Sequence, residues 1–252
     1  MICHKLKTIV IFGGTSDIAN ECLSHWLKEE DLKIILIGRN HFRLKSASDN
    51  LKIRHPNSIF ECIESDLLEA NSIQTIINNL FKSQKIDIAL IAHGNLSNQE
   101  KCQIDLEYCR NELIVNGLSA CLISEAMAYA FIKQGTGSLA VIGSVAGDRG
   151  RKSNYTYGAA KGLVDIYIQG LQHMFYKTSI SIILIKPGPT ESSMTKHLLN
   201  DSRGLANISH VAKIIVKGIK NKKQVIYTPR RWAIIMLIIK ILPKFIFNKL
   251  NI

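Results

Sequence analysis

Short runs of Ile, Leu and Val alternate with longer segments of helical periodicity along most of this chain of 252 residues. We predict strands in the runs at 6–14, 32–39, 59–66, 86–94, 137–144 and 179–188. Helical periodicity covers 16–30, 72–83, about 104–134 and a segment from Tyr155 onward. Strands that are separated by helices are joined by crossovers and lie parallel in a sheet with helices on both faces. The alternation therefore predicts an α/β fold with a doubly wound parallel sheet.

The chain contains no internal repeat, low-complexity tract or linker, and its length suits one large domain. We assign 1–228 to that domain and 229–252 to a basic amphipathic extension of the same domain. The first apolar run ends at Gly13 and is too short for a signal peptide. No metal site is expected. The cysteines form no CxxC pair and are typical of a reduced cytosolic protein: Cys3, Cys22, Cys62, Cys102, Cys109 and Cys121.

A glycine-rich turn, "FGGTSDIA" at 12–19, follows the first predicted strand and opens the first predicted helix. The N–H groups and the positive end of a helix in this position can bind a pyrophosphate, and glycine lets a ligand approach the backbone closely. Within a strand–helix–strand unit, the turn predicts dinucleotide binding by a Rossmann-type fold.

Residues at the ends of the next strands bear on the type of dinucleotide. The second strand ends in Gly38 and Arg39, where an acidic residue would bind the ribose hydroxyl of NAD. A guanidinium suits a 2′-phosphate instead, which favours NADPH over NADH; a surface arginine in a loop is the alternative. Asp66 is a candidate acceptor for the adenine amine or a helix N-cap. Gly94 would leave room for a cofactor, and we interpret His93, which has no evident partner, as structural.

The segment "SVAGDRGRKSNYTYGAAKG" at 144–162 contains a candidate for proton transfer. Tyr157 and Lys161 are spaced i, i+4 and share one face of the predicted helix. A tyrosine with an ordinary pKa of about 10 is poorly matched to proton transfer near neutral pH; a nearby ammonium and an oxidised nicotinamide would lower that pKa. Ser144 ends the fifth predicted strand, where its hydroxyl is placed to hold a substrate carbonyl. Tyr155 has no lysine partner at this spacing.

Together these segments resemble the short-chain dehydrogenase/reductase family from about Lys7 to Met194. The resemblance implies a catalytic tetrad of Asn116, in "LIVNG", with Ser144, Tyr157 and Lys161. In this tetrad, Asn116 keeps a proton-relay water near Lys161. The resemblance also implies cofactor contacts at Gly13, Thr15, Ser16, Asp17, Ile18, Arg39, Asp66, Leu67, Gly94, Tyr157, Lys161, Thr190 and Ser192.

The chain departs from the family's usual TGxxxGxG turn at Phe12, Asp17 and Ala19. Asp17 would repel a pyrophosphate unless it caps the helix instead. The stretch 91–94, "IAHG", stands where the family has NNAG, and Ser192 stands where it usually has threonine. These departures bear on the phosphate contacts and leave the expected enzyme class unchanged.

Within the family, the segments "GGTSDIA", 144–162, "KPGPTESSMT" and "TPRRWAIIMLIIKILPKFIF" resemble the branch that reduces a 2-keto pentofuranose carried on decaprenyl phosphate. This resemblance covers nearly the whole chain and implies a keto sugar linked to polyprenyl phosphate, used in cell-envelope polysaccharide synthesis. We expect Arg149 and Arg151 to contact the substrate phosphate; a solvated loop is the alternative.

The C-terminal part of the chain is basic, with eleven Lys and Arg and no Asp or Glu from Ser202 to Ile252, in a chain of net charge +12. The run "WAIIMLIIKIL" stops before Pro243 and is shorter than the about 20 residues that span a bilayer. Basic residues around it predict a helix lying in an anionic membrane interface, with a partner subunit as the alternative contact: Arg230, Arg231, Lys240, Lys244 and Lys249. No nucleic-acid partner is expected, because no recognition motif accompanies these residues.

The sequence thus predicts an NAD(P)H-dependent carbonyl reductase that forms homo-oligomers in the cytoplasm and binds peripherally to the inner face of the cell membrane. Two alternatives remain. One is a soluble reductase of a small ketone or acyl substrate, with the C-terminal segment as an oligomer contact. The other is a non-catalytic nicotinamide-binding protein that keeps the fold.

Overall fold

The computed structural model of the chain describes residues 6–198 and 204–250 and is built around a parallel sheet. Its strands are β1 (Lys7–Phe12), β2 (Leu32–Gly38), β3 (Ile59–Glu64), β4 (Ile88–Ile91), β5 (Gly137–Ile142), β6 (Ile180–Pro187) and β7 (Val225–Thr228). Their order across the sheet is β3-β2-β1-β4-β5-β6-β7. The chain changes direction across the sheet between β1 and β4, and open α/β sheets bind ligands beyond the carboxyl ends of the strands at such a point.

Helices connect the strands and cover the sheet. They are α1 (Asp17–Trp26), α2 (His41–Arg54), α3 (Ala70–Ser83), α4 (Gln99–Ile104), α5 (Leu106–Leu113), α6 (Ser119–Gln134), α7 (Tyr155–Met174), α8 (Ile208–Lys220), α9 (Arg231–Ile241) and α10 (Lys244–Phe247). A π-helical turn, Ile114–Leu118, joins α5 to α6, and 3₁₀ turns cover Val145–Asp148 and Ser193–Leu198.

Two layers of apolar side chains fill the space between the sheet and its helices. On one face, α1, α2 and α8 pack over β1 and β2 residues that include Ile9 and Ile34. On the other face, α3, α6 and α7 pack over Val10 and Ile35. Successive residues of a strand point to opposite faces, so neighbouring strand residues enter different layers and both are fully buried. This burial on both faces explains why the strands appear in the sequence as continuous apolar runs.

The predicted doubly wound α/β fold is confirmed, and each predicted strand coincides with a strand of the sheet. The prediction omitted β7, α2, α4 and α8. β7 is only four residues long, and the buried stripe of α2 is Leu44, Ser48 and Leu51, in which a serine interrupts the apolar pattern. Helix α8 has a regular apolar stripe that includes Val211, Ile215 and Ile219. The prediction for this segment rests on its positive charge and does not use that stripe.

The predicted helix at about 104–134 is divided in the structure. α4 ends at Ile104, and the segment Leu106–Gln134 follows with the π-helical turn inside it. By length and composition this segment could cross a membrane, but 61% of its most apolar window is buried inside the protein. Its inward side chains, such as Met127 and Phe131, belong to the core, which is typical of the central helix of a folded domain.

Some predicted features lie outside the described residues. They are Cys3, Ser202, the first five residues of the predicted range 1–228 and the last two residues of the predicted range 229–252. The cysteines that the structure describes are free thiols: Cys22, Cys62, Cys102, Cys109 and Cys121.

A buried cluster of charges joins β6, α7 and the Val145–Asp148 turn. Lys186 Nζ lies 2.6 Å from an oxygen of Asp148 and 2.6 Å from an oxygen of Asp165. Tyr227 donates its hydroxyl hydrogen to Asp148 at 2.9 Å, and Lys240 Nζ of α9 lies 2.9 Å from the same carboxylate. Burial by itself would raise the pKa of Asp148, but hydrogen bonds from Lys186 and Lys240 outweigh it, so the pKa is lowered. Asp148 therefore ties the C-terminal helix to the turn that follows Ser144.

The C-terminal helices α9 and α10 pack beside this cluster. The side chain of Met236 in α9 is fully buried. Arg149 donates to the carbonyl oxygens of Ile239 and Leu242, the latter at 2.6 Å, at the end of α9 where a cation is favourable. Its guanidinium carbon lies 3.9 Å from the centroid of the Phe247 ring in α10. The segment predicted as a C-terminal helix is thus confirmed as helical and docks on the domain.

We expect Asp148→Ala to lower the free energy of unfolding by about 3 kcal/mol, because it leaves the buried Lys186 with one carboxylate partner and removes the contact with Lys240. Urea unfolding followed by circular dichroism measures this change. The matched control is Glu29→Ala, which breaks the exposed pair between Glu29 and Lys220 and should have little effect. Equal effects of the two substitutions would contradict the role assigned to Asp148.

Candidate active site

The residues predicted to form the catalytic tetrad converge at the carboxyl edge of the sheet. Ser144 follows β5, and Tyr157 and Lys161 share one face of α7. The Ser144 hydroxyl accepts from the N–H of Ala146 at 3.1 Å and lies close enough to the Tyr157 phenol to lower its pKa. Lys161 Nζ lies 5.8 Å from the centroid of the Tyr157 ring. Asn116 lies in the π-helical turn and is fully buried.

Small residues allow the turn after Ser144 to rest directly on α7. A Cβ atom on Gly147 would lie 2.7 Å from the backbone carbonyl of Lys161, and one on Gly158 would lie 3.0 Å from the carbonyl oxygen of Ala146. Real Cβ atoms do not occupy such spaces without a shift of the backbone. The glycines therefore fix the distance between Ser144 and Tyr157.

The other side of α7 is packed against the π-helical turn in the same way. A Cβ on Gly117 would lie 3.0 Å from the carbonyl oxygen of Ala160. Gly94, after β4, has φ +142°, and its Cβ would point between Asn116 Oδ1, 3.0 Å away, and Lys161 Nζ, 3.6 Å away. The amide and the ammonium thus flank one glycine, whose missing side chain leaves space between them.

Burial sets the protonation of the two groups on α7. It lowers the pKa of Lys161 to about 8, so the ammonium is present at neutral pH and is lost as the pH rises through that value. The ammonium donates to the carbonyl oxygen of Ile142 at 3.2 Å. Burial also raises the pKa of Tyr157, and the hydrogen bond from Ser144 only partly opposes this. The sequence predicts that the nearby lysine lowers the pKa of Tyr157. In the protein without cofactor this pKa is raised instead, so the phenol is protonated.

The glycine-rich turn brings the ends of β1, β2 and β4 close together. Gly13 has φ +90°, and a Cβ there would lie 2.5 Å from the backbone nitrogen of His93. A Cβ on Gly14 would lie 2.8 Å from the side chain of Leu36. Both positions require glycine, and the close contacts hold the turn against β2 and β4 at the start of α1. Thr15 is exposed at its rim, and Ile18 packs against the core from the first turn of α1.

The suggestion that Asp17 caps α1 is wrong. Ser16 is the N-cap residue, and its hydroxyl accepts from the N–H of Ala19 at 3.5 Å. Asp17 is the first residue of the helix, and one of its carboxylate oxygens accepts from the N–H of Ser193 at 2.6 Å. The carboxylate therefore ties the start of α1 to the loop after β6.

Two other predicted cofactor residues follow β2 and β3. Arg39 is exposed directly after β2. Asp66 is exposed and accepts from the N–H of Leu68 at 2.9 Å, which is a local turn contact. The alternative role of Asp66 as a helix N-cap is wrong, because the N-cap position of α3 is Glu69. Leu67 is buried in the core beneath this turn.

His93, interpreted from the sequence as structural, has a partner in Ser119. The distance from His93 Nε2 to the Ser119 hydroxyl oxygen is 2.7 Å, and that hydroxyl donates to the carbonyl oxygen of Val115 at 3.0 Å. The serine therefore accepts from Nε2–H. Burial, with smaller effects of Lys161 and Arg39, lowers the pKa of His93 to about 3, so the ring is neutral.

The loop after β6 forms the far side of the crevice. Thr190 is buried and donates its hydroxyl hydrogen to the carbonyl oxygen of Gly188 at 2.9 Å. The N–H of Ser192 donates to the Thr195 hydroxyl at 3.1 Å. Trp232 packs against this loop, since a Cβ on Gly188 would lie 1.9 Å from its indole nitrogen. No local pattern in the sequence indicates that α9 covers this glycine.

Arg149 and Arg151 have partners other than those predicted. Arg149 donates to carbonyl oxygens at the end of α9, and Arg151 Nη2 lies 3.4 Å from Met236 Sδ in the same helix. Both side chains are partly buried, so the alternative of a solvated loop does not describe them either. These contacts assign both arginines to the docking of the C-terminal helices and lend no support to a phosphate contact.

The comparisons with known proteins agree with this geometry. Residues 7–203 match the family described as short chain dehydrogenase. The chain belongs to this family. It is an NAD(P)-dependent oxidoreductase that acts on alcohol or carbonyl groups.

Curated relatives extend the match to nearly the whole chain. An uncharacterized oxidoreductase of Streptomyces coelicolor is 24% identical over 97% of this chain and 96% of its own length. One of Mycobacterium tuberculosis is 25% identical over 96% of each chain. Among solved structures, a short-chain dehydrogenase from Sphingobium yanoikuyae in complex with NADPH has a TM-score of 0.80 at 20% identity, covering 95% of this chain and 97% of its own. A bulky-bulky ketone specific alcohol dehydrogenase from Comamonas testosteroni has a TM-score of 0.79 at 19% identity, covering 98% and 95% respectively.

We expect Tyr157→Phe to lower kcat for NADPH-dependent reduction of phenanthrenequinone by about a hundredfold or more, because the phenylalanine has no proton to give. NADPH binding, followed by the fluorescence of the nicotinamide, should be nearly unchanged. Tyr155→Phe is the matched control, since Tyr155 is 46% exposed and its hydroxyl accepts only from Gln103. Retained activity in Tyr157→Phe would remove the phenol from the chemistry.

Proposed function

We propose that the protein reduces a ketone with NADPH and that Tyr157 is the proton donor. The observation that carries this proposal is that the four side chains are linked through Lys161 and Tyr157. Lys161 Nζ lies 5.8 Å from the centroid of the Tyr157 ring, Ser144 neighbours the Tyr157 phenol, and Asn116 and Lys161 flank Gly94. Ser144 holds the carbonyl oxygen of the substrate, and Tyr157 gives its proton to that oxygen. The Lys161 ammonium stabilises the phenolate that forms and binds the cofactor ribose. Asn116 holds a water that returns the proton to the phenol.

A nicotinamide dinucleotide fits the residues that line the crevice. Gly13 and Gly94 both have positive φ values and form the tight turns at the ends of β1 and β4, beside which a dinucleotide would lie. The cofactor, when bound, supplies the hydride that reduces the carbonyl carbon. We assign its contacts to Gly13, Thr15, Ser16, Asp17, Ile18, Arg39, Asp66, Leu67, Gly94, Tyr157, Lys161, Thr190 and Ser192.

The preference for NADPH rests on the end of β2. Gly38 is buried against Leu44 there, and no acidic side chain follows it to accept from a ribose hydroxyl. Arg39 is exposed at the rim of the crevice, where its guanidinium pairs with a 2′-phosphate.

Replacement of Arg39 by alanine should raise KM for NADPH by about tenfold and leave KM for NADH nearly unchanged, since only NADPH carries the 2′-phosphate. Steady-state kinetics with both cofactors measure this difference. Lys52→Ala is the control, because Lys52 is an exposed cation in the last turn of the neighbouring helix α2. A parallel loss with both cofactors would argue against the 2′-phosphate contact.

For the substrate, we propose a keto sugar carried on polyprenyl phosphate, reduced at the inner face of the cell membrane for cell-envelope polysaccharide synthesis. The sequence resemblance to the keto-pentofuranose reductases supports this substrate class. A second support is the position of α9, which packs on β7 and on the turn after Ser144. A substrate whose lipid remains in a membrane must be reached by an active site that lies close to the membrane surface.

The outer face of the C-terminal helices has the composition of such a surface. Ile234, Leu237, Ile238, Ile241 and Phe245 are 59–72% exposed. Cations flank them, and the sequence from Ser202 onward contains no carboxylate side chain. Apolar side chains next to cations bind an anionic leaflet through both burial and charge. In this proposal 1–228 is the reductase domain and 229–252 is its membrane-binding extension.

Vesicle flotation should recover the protein with phosphatidylglycerol vesicles and leave it in the load with phosphatidylcholine vesicles. Leu237→Ser combined with Ile241→Ser should abolish flotation, because it removes apolar area from the outer face. Ile166→Ser is the control, since Ile166 is 70% exposed on α7, away from α9. The same double variant should lose reduction of extracted lipid-linked keto sugars and keep reduction of phenanthrenequinone.

A protein that never floats, and whose double variant dissociates from oligomer to monomer, would identify this face as a subunit contact of a reductase for small ketones. We expect homo-oligomers in either case. A protein that binds NADPH but reduces neither lipid-linked sugars nor small carbonyl compounds would favour a non-catalytic nicotinamide-binding role.

A further inference from the structure

Asn116 is held by a group of side chains that the tetrad does not include. Glu112, one helical turn before it on α5, is only 4% exposed. One oxygen of the Glu112 carboxylate accepts from Asn95 Nδ2 at 2.9 Å. The other accepts from the Ser97 hydroxyl at 2.6 Å and from Asn116 Nδ2 at 3.2 Å. All these donors are neutral, so the carboxylate is satisfied without a cation.

These hydrogen bonds close a ring. Asn116 Nδ2 also donates to Asn95 Oδ1 at 2.8 Å, and Asn116 Oδ1 accepts from the N–H of Asn95 at 2.9 Å. A carboxylate can only accept hydrogen bonds, so Glu112 requires the NH₂ group of each asparagine to face it. The oxygen of Asn116 must then face the opposite way, toward the backbone of Asn95 and the space at Gly94.

We infer that Glu112 is a positioning residue for the reaction: its carboxylate fixes the orientation of the Asn116 amide and the path of the 94–97 loop. This inference rests on the proposed role of Asn116 in the proton relay. The loop carries Gly94, which separates Asn116 from Lys161, so a displaced loop would change the space in which the relay water is held. Glu112 acts through Asn116 and does not touch the reacting atoms.

Glu112→Gln tests the inference, because it keeps the size of the side chain and changes only its hydrogen-bonding pattern. The new NH₂ group must face donors, either that of Asn95 or those of Ser97 and Asn116. We expect kcat for phenanthrenequinone reduction to fall by about tenfold, with KM for NADPH within about twofold of the original. The solvent deuterium isotope effect on kcat should increase, because proton return becomes slower. A side chain that only fills space would leave kcat and the isotope effect unchanged, and that result would overturn the inference.

A second substitution restores the pattern. In the double variant Asn95→Asp with Glu112→Gln, the new aspartate accepts from the NH₂ groups of Gln and Asn116. The carbonyl oxygen of the glutamine accepts from Ser97 and Asn116. Every hydrogen bond of the ring is regained, with the negative charge at position 95 instead of position 112. We therefore expect kcat to return to within about threefold of the original. Asn95→Asp alone places two carboxylates together and should be the least active and least stable variant.

Urea unfolding of the same variants reports the ring independently of turnover. The midpoint should fall for each single variant and recover in the double variant. If Glu112→Gln does not fold, the double variant decides, since it should fold and turn over. A double variant that recovers stability but not kcat overturns the positioning role. Wild-type protein that binds NADPH and reduces no carbonyl compound would instead refute the proposed function, whatever the unfolding midpoints.

Discussion

The positions of Tyr157 and Lys161 depend on close contacts at which either α7 or the element packed against it lacks a side chain. The turn after Ser144 meets α7 at Gly147 and Gly158, and the π-helical turn meets it at Gly117. A Cβ on Gly147 would lie 2.7 Å from the backbone of Lys161, and a Cβ on Gly117 or Gly158 would lie 3.0 Å from a carbonyl oxygen, so a larger residue would displace its neighbour. Close packing of this kind transmits small changes of volume as displacements. The glycines around α7 thus determine the distances between Ser144, Tyr157, Lys161 and Asn116.

The fold was predictable because its strongest signal is local. Strands buried on both faces leave continuous apolar runs, and glycines after β1 mark the crevice at which such sheets bind ligands. The i, i+4 spacing of Tyr157 and Lys161 likewise placed them on one helical face. The short strand β7 and the interrupted stripe of α2 carry weaker signals, since few of their side chains enter the core. A contact between two residues that are distant in the sequence leaves no local pattern. Examples are the hydrogen bond between Asp17 and Ser193 and the packing of Trp232 on Gly188.

Arg149 shows that the partners of a charged side chain depend on elements distant in the sequence. Its position in the sequence between Ser144 and Tyr157 predicts a contact with a phosphate. In the structure its guanidinium donates hydrogen bonds to carbonyl oxygens at the end of α9. A helix end presents unpaired acceptors and a partial negative charge, which attract an arginine as an anionic ligand would. The same loop is therefore a structural joint: Asp148 binds Lys240, Arg149 caps α9, and Arg151 contacts Met236. The C-terminal helices and the turn after Ser144 belong to one packed unit.

Two buried carboxylates flank α7, and they are stabilised in different ways. Asp148 is surrounded by Lys186, Lys240 and Tyr227, so its charge is balanced by cations that come from separate elements. Glu112 is surrounded by neutral amides and a hydroxyl, so its charge is held by the direction of dipoles alone. An ion pair between a lysine and a carboxylate tolerates some motion, because Coulomb attraction changes slowly with distance. A hydrogen bond weakens steeply when its angle bends. The first arrangement suits a joint between elements, and the second suits a group whose orientation must not vary. The second arrangement is that of Glu112, which accepts a hydrogen bond from Asn116.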